Sequence, residues 1–217
     1  ARVAERQDVT SESAAAWLDE AVPRVFEPAP YTGLAVSVVA DGQPVLTEGL
    51  GAARQAPHTP LDPAEHLFRV GSVSKVFNAL AVMQLVERGD VDLDADVNTY
   101  VDLELELPLG PVTLRQLLSH TAGFEERMER VFVGDVSKVT DLRTYLSEVQ
   151  PRQVYEPGTV TAYSNYSAAL AGHVVERVSG QVWADYVEEH VIQPLGMHST
   201  SAGQPLPEPL ADRLAWA

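Results

Sequence analysis

The sequence predicts an α/β (α+β) fold: an antiparallel sheet flanked by helices, with an inserted all-helical region. Three observations lead there. Asp41-Gly42 separates two stretches of strand character, a strong hairpin signal. The run Val76 to Val86 is apolar on nearly every face, as a buried helix is. After Gly89 the chain turns to short capped helical segments, the pattern of helices gathered beside a sheet.

Each element has its own local reason. Residues 11–27 read as a helix, with Ser11 or Ser13 as cap and Ala14, Trp17, Leu18, Ala21 and Val22 as an apolar stripe. Pro28, Pro30 and Gly33 break it. Leu34 to Ala40 and Gln43 to Leu50 read as the two hairpin strands, with Gly49 and Gly51 marking a bulge or a close approach. Ala52 to Pro63 reads as a polar, proline-containing loop. Leu67-Phe68-Arg69-Val70 reads as a short strand leading into Gly71-Ser72-Val73-Ser74-Lys75. The buried helix opens at Ser72 and stops at Glu87-Arg88-Gly89.

Asp90, Asp92, Asp94 and Asp96 alternate with apolar residues. A calcium loop would need a central glycine and a glutamate at the twelfth position, so a solvated turn is expected instead. Thr113 caps a helix over Leu114 to His120, and Asp141 opens another that stops before Pro151. Glu156-Pro157-Gly158-Thr159 is a turn that leads to Tyr163-Ser164-Asn165. Helices over Tyr166 to Val178 and Val182 to Val191 follow, divided by Ser179-Gly180, and Pro194 to Pro209 reads as loop. The organisation is 1–89 as the first part of the α/β region with the Ser72 helix, 90–165 as a helical region, and 166–217 as helices returning toward the α/β part.

Composition bounds the function. The 217 residues are 45% hydrophobic, enough for a real core, and no apolar run reaches membrane-spanning length. A net charge of −16 disfavours nucleic-acid and anionic-membrane partners. The absence of cysteine excludes disulfides and thiolate metal sites.

The chemistry candidates start with Ser72 and Lys75. Residues i and i+3 share a helix face, so a hydroxyl and an amine can meet at the helix start, a nucleophile beside a possible base. Burial and the helix dipole would both favour neutral Lys75. The bland alternative is a surface lysine at a frayed helix end. Tyr163 is the second candidate; its phenol needs a nearby cation to act as a base, and Lys75 could supply it. The alternative is a tyrosine packed at a helix start. Asn165 either binds a substrate carbonyl or caps the following helix. His120 reads as a helix-end histidine bonded to backbone. The six histidines form no His-x-x-x-His or His-Glu-x-x-His pattern, so zinc is not expected. No Gly-x-Ser-x-Gly elbow anchors a serine–histidine–aspartate triad.

Five segments occur in order: Ser72-Val73-Ser74-Lys75, Leu117-Leu118-Ser119-His120-Thr121-Ala122-Gly123, Glu156-Pro157-Gly158, Tyr163-Ser164-Asn165 and Pro194-Leu195-Gly196-Met197. Together they resemble the serine β-lactamase and penicillin-binding-protein-like superfamily, on the branch of class C β-lactamases, D,D-carboxypeptidases and related esterases. The resemblance implies a serine hydrolase working through an acyl-enzyme on a β-lactam, a D-Ala-D-Ala-type peptide or a small ester. A non-catalytic or slowly acylating penicillin-binding or sensor module is the alternative. By resemblance Ser72 is the nucleophile, Lys75 helps take its proton and Tyr163 is base or proton relay. Asn165 binds the substrate amide, and the Ser72 N–H is half of the oxyanion hole. The resemblance implies no cofactor and no metal, a small-molecule or peptide substrate, and an extracytoplasmic setting. One departure stands out: the family's third motif, Lys-Thr-Gly or His-x-Gly, has no counterpart after Asn165. The expectation is therefore the front part of a longer protein, with an incomplete sheet that would not fold stably alone.

Overall fold

A computed structural model describes residues 8–26 and 31–215. Glu27 and the predicted break at Pro28 and Pro30 lie outside the described residues. The structure is mixed α/β, with three strands and seven α-helices among the described residues. By its contacts the chain forms two compact units. One runs to Arg69 and takes in the segment from Glu208 onward; the other is Val70–Pro207. The Ser72 helix thus belongs with the helices, whereas the sequence grouped it with residues 1–89.

In the first unit, helix α1 (Ser11–Phe26) packs Ala14 and Leu18 against Leu46. Its cap is a residue earlier than expected: the Thr10 hydroxyl accepts from the Ser13 N–H at 3.1 Å. Trp17, placed on the apolar stripe by its spacing, is exposed. Strands β1 (Gly33–Ala40) and β2 (Gln43–Gln55) form the predicted hairpin around Asp41-Gly42. The structure corrects the loop expected over Ala52 to Pro63. Strand β2 continues to Gln55, and β3 (His58–Pro60) pairs back on it. Gly51 adopts φ +75° and the register shifts just after it, which lets the strand bend and go on. Pro60 misled the sequence reading, but proline is tolerated on such an edge strand. Gly49 meets the expected close approach: a Cβ there would lie 2.6 Å from the Leu61 carbonyl oxygen. The strand expected at Leu67 to Val70 is also corrected. Only Leu67 pairs, in one parallel bridge with Leu214, while Phe68 and Val70 are exposed. Helix α7 (Glu208–Ala211) begins inside the expected loop.

The second unit is built on helix α2 (Ser74–Glu87), preceded by a 3-10 turn at Gly71–Val73. Ser72 therefore sits in the tight turn, not in the helix proper. The expectation of burial on nearly every side is corrected too. Asn78, Ala81, Val82 and Leu85 are buried, but Val76, Leu80 and Met83 form an exposed row. Helices α5 (Asn165–Ser179) and α6 (Trp183–Val187), with a π-turn at Glu188–Ile192, cover one side of α2 only. Asn78 joins all three helices. Its amide donates to the Ala168 carbonyl at 2.9 Å and accepts the Trp183 indole N–H at 2.9 Å. Helices α3 (Leu114–Leu118) and α4 (Leu142–Glu148) start at the predicted caps, Thr113 and Asp141. The aspartate run serves local structure: Asp92 and Asp96 accept backbone N–H groups, and Asp94 pairs with Arg115.

His173 on α5 is 3% exposed and lies between two carboxylates, Asp102 at 3.0 Å and Glu176 at 3.1 Å. Burial alone would lower its pKa, but the hydrogen bonds to Glu176 and Asp102 outweigh it and raise the pKa above the ordinary histidine value. Only the imidazolium can donate from both nitrogens. Its contribution to stability is therefore complete below about pH 6.5, the unfolded value, and is lost as pH rises through the raised folded value. The melting-temperature gap between wild type and His173→Gln should be largest near pH 6 and shrink toward pH 9 in a calorimetric series. A gap independent of pH would refute this account of the cluster.

Candidate active site

The site is assembled in the second unit from the start of α2 and the start of α5. The Ser72 Oγ lies 2.6 Å from the Tyr163 phenol oxygen, and either atom can donate. The Lys75 Nζ donates to Ser72 Oγ at 3.1 Å and to Asn165 Oδ1 at 2.8 Å. It also lies 4.8 Å from the centre of the Tyr163 ring, in cation–π range. Ser72, Lys75, Tyr163 and Asn165, singled out from sequence, thus meet in one cluster. Ser72 and Tyr163 are exposed and Lys75 and Asn165 half-buried, so the cluster is open to solvent.

The backbone explains how Tyr163 arrives there. Phe124 and Gln153 form an antiparallel bridge, and the Gly123 carbonyl accepts the Val154 N–H at 2.7 Å. The Thr121 carbonyl accepts the Gly158 N–H at 2.7 Å, and the His120 carbonyl accepts the Ala162 N–H at 2.8 Å. Residues 120–124 thus clasp residues 153–162 along their length. Gly123 makes this possible: its φ is +84°, and a Cβ there would sit 2.0 Å from the Tyr155 carbonyl oxygen. Gln153, buried, fills the space behind, donating to the Gly110 and Ala122 carbonyls and accepting from the Leu109 N–H.

His120 does bond backbone: its Nδ1 accepts the Ser164 N–H at 3.2 Å. Its ring also stacks against Tyr163, with centroids 4.6 Å apart, a contact that no sequence pattern announced. Burial, helped by the Lys75 charge, lowers the His120 pKa, which suits a ring nitrogen that must accept. Asn165 is not the cap of α5. Ser164 is, accepting the Ser167 N–H at 3.1 Å. Asn165 is therefore free to turn its amide into the cluster.

The Tyr163 pKa is drawn below the ordinary tyrosine value by the nearby Lys75 first and by the Ser72 hydrogen bond second. Burial and the charge of Glu126 oppose the shift. Glu126 is the residue that sequence reading missed. Its carboxylate accepts both the Asn165 backbone N–H at 2.8 Å and the Asn165 side-chain amide at 2.7 Å. In sequence it stands in Glu125-Glu126-Arg127, which looks like any solvated charge run.

A serine hydroxyl held by a phenol and an amine is an arrangement that can serve as a nucleophile with its base. The chain belongs to the beta-lactamase family, whose model matches residues 22–216. It is 33% identical over 214 residues to esterase EstB of Burkholderia gladioli, covering 92% of this chain and 54% of that protein. It is 32% identical over 179 residues to penicillin-binding protein 4 of Amycolatopsis lactamdurans, covering 77% and 44%. Among solved structures, a class C beta lactamase from Rhodobacter sphaeroides aligns with TM-score 0.72 and 31% identity, over 94% of this chain and 54% of that one. The chain spans between 33% and 54% of the length of these and other curated relatives that it matches.

Gly123→Ala should lower unfolding stability by at least about 2 kcal/mol, because it combines a positive φ with a backbone clash. Urea unfolding measures it; a wild-type midpoint would mean that the clasp tolerates a side chain.

Proposed function

We propose that this protein is a serine hydrolase that works through an acyl-enzyme on an ester or amide. The observation that carries the reading is the 2.6 Å contact of Ser72 Oγ with the Tyr163 phenol, under the Lys75 ammonium. In the first step Ser72 Oγ attacks the acyl carbon while its proton passes to the Tyr163 oxygen. Lys75 draws the phenol pKa down, so more of that oxygen is ionised and able to accept the proton. The Ser72 backbone N–H then supplies one donor to the developing oxyanion. On collapse the leaving oxygen or nitrogen takes the proton back from Tyr163. A water, deprotonated by the same phenolate, releases the acid and restores Ser72.

The proposed substrates are a β-lactam, a D-Ala-D-Ala-type peptide or a small ester, in an extracytoplasmic setting. Kinship with a family that includes both an esterase and penicillin-binding proteins supports this range.

A fluorophosphonate or fluorescent penicillin should label the protein, and Ser72→Ala should abolish labelling. Hydrolysis of nitrocefin or a p-nitrophenyl ester supports the enzyme reading. Stable labelling without turnover supports a slowly acylating penicillin-binding module instead. Absence of any Ser72-dependent labelling sinks both. Labelling rates should rise with pH along an ionisation below the ordinary tyrosine value of about 10. Tyr163→Phe should remove that rise and about 10²–10⁴ of the rate. Lys75→Arg keeps the charge, but guanidinium neither deprotonates nor fits as a point donor. Acylation should therefore fall while the melting temperature holds; near-normal acylation would mean that a cation suffices here without the point-donor contacts to Ser72 and Asn165.

A further inference from the structure

The Asn165 side chain is engaged on both sides in this site, though its second amide N–H has only the Met128 thioether, a weak acceptor. One amide N–H points to the Glu126 carboxylate at 2.7 Å, and the nitrogen also lies 3.8 Å from the Met128 sulfur. Its Oδ1 accepts from Lys75 at 2.8 Å, with the Tyr163 phenol 3.4 Å away. The orientation of the amide is not free either. Turning it over would set N–H groups against an ammonium and a carbonyl oxygen against a carboxylate, repulsive on both sides. Glu126 also holds the Asn165 backbone N–H at 2.8 Å, a donor at the first residue of α5 that no helical carbonyl can satisfy. The segment that carries Glu126 is itself tied down. Glu125 pairs with the Arg152 guanidinium at 3.0 Å, and the Glu125 N–H donates to the Arg152 carbonyl at 3.0 Å.

We propose that Glu126 is a positioning residue that sets specificity through Asn165. It reserves the Asn165 carbonyl for Lys75 and takes one of the two Asn165 N–H donors, leaving to substrate only the N–H beside the Met128 sulfur. An acyl group that brings its own amide carbonyl to this wall finds a carboxylate already bonded there. Its carbonyl oxygen would have to displace a charge-assisted hydrogen bond, which is stronger than the neutral one it offers. A simple ester makes no such demand. This site therefore turns over plain acyl esters ahead of acylamino-bearing lactams or peptides. The inference rests on the acyl-enzyme reading above and narrows its substrate class.

The test compares Ser72-dependent acylation by p-nitrophenyl butyrate with acylation by benzylpenicillin. Wild type, Glu126→Ala, Glu126→Gln, Asn165→Ala and the Glu126→Ala/Asn165→Ala pair are measured, with melting temperatures alongside. Glu126 is exposed, so its variants should keep the wild-type melting temperature within a few degrees. Glu126→Ala frees the donor and should move the penicillin-to-ester rate ratio toward penicillin by about tenfold, the worth of one hydrogen bond. Glu126→Gln still offers an acceptor to the amide and should keep most of the wild-type ratio. In the Asn165→Ala background the Glu126→Ala change should move the ratio less than about twofold, because residues acting through one contact are not additive. An unmoved ratio in Glu126→Ala, or an equal shift with and without Asn165, overturns the proposal. If neither probe acylates Ser72 in wild type, the acyl-enzyme reading fails and this inference falls with it; Ser72-dependent acylation with an unmoved ratio removes this inference alone.

Discussion

The site depends on a backbone pairing that admits no side chain at Gly123. The Gly123 carbonyl and its neighbours at Thr121 and His120 supply the hydrogen bonds that lay residues 153–162 beside residues 120–124. That pairing decides where Tyr163 points and where α5 begins. Once α5 is placed, Asn78 can reach both the Ala168 carbonyl and the Trp183 indole, and α2 is locked to it. The Ser72 turn then faces Tyr163 as a result of packing. The segment from Leu117 to Gly123 carries none of the four clustered side chains, yet its pairing helps to bring them together.

The electrostatics of the cluster follow a single line, from the Lys75 cation through the Asn165 amide to the Glu126 anion. The chain has only two lysines and a net charge of −16, so a cation at this point stands out against its surroundings. Lys75 touches Ser72, Asn165 and the Tyr163 ring at once. An arginine, with a flat head and a wider reach, would not make the same three contacts. Here the amide of Asn165 links two charges of opposite sign.

The hairpin was legible because Asp41-Gly42 satisfies a local backbone rule, and α3 and α4 because Thr113 and Asp141 are side-chain caps. That Ser72, Lys75, Tyr163 and Asn165 meet in one cluster was expected from the ordered motifs that carry them. What the sequence hid was non-local. Strand β3 exists because of pairing to β2, and its proline and polar residues gave no periodic sign. The exposed row Val76, Leu80 and Met83 could not be read from an apolar run, because composition does not say which faces find partners. Glu126 was hidden for the same reason. An acidic residue in a charged run is ordinary until folding brings it against an amide from a distant segment.

Tyr163 also gives the site a built-in indicator. Ionised tyrosine absorbs at longer ultraviolet wavelengths than the neutral phenol. Burial raises the pKa of Tyr145 and of Tyr166, whereas the pKa of Tyr163 is lowered by its cation and its serine. Among these three, the phenol that would accept the proton of Ser72 is the first to change colour as pH rises.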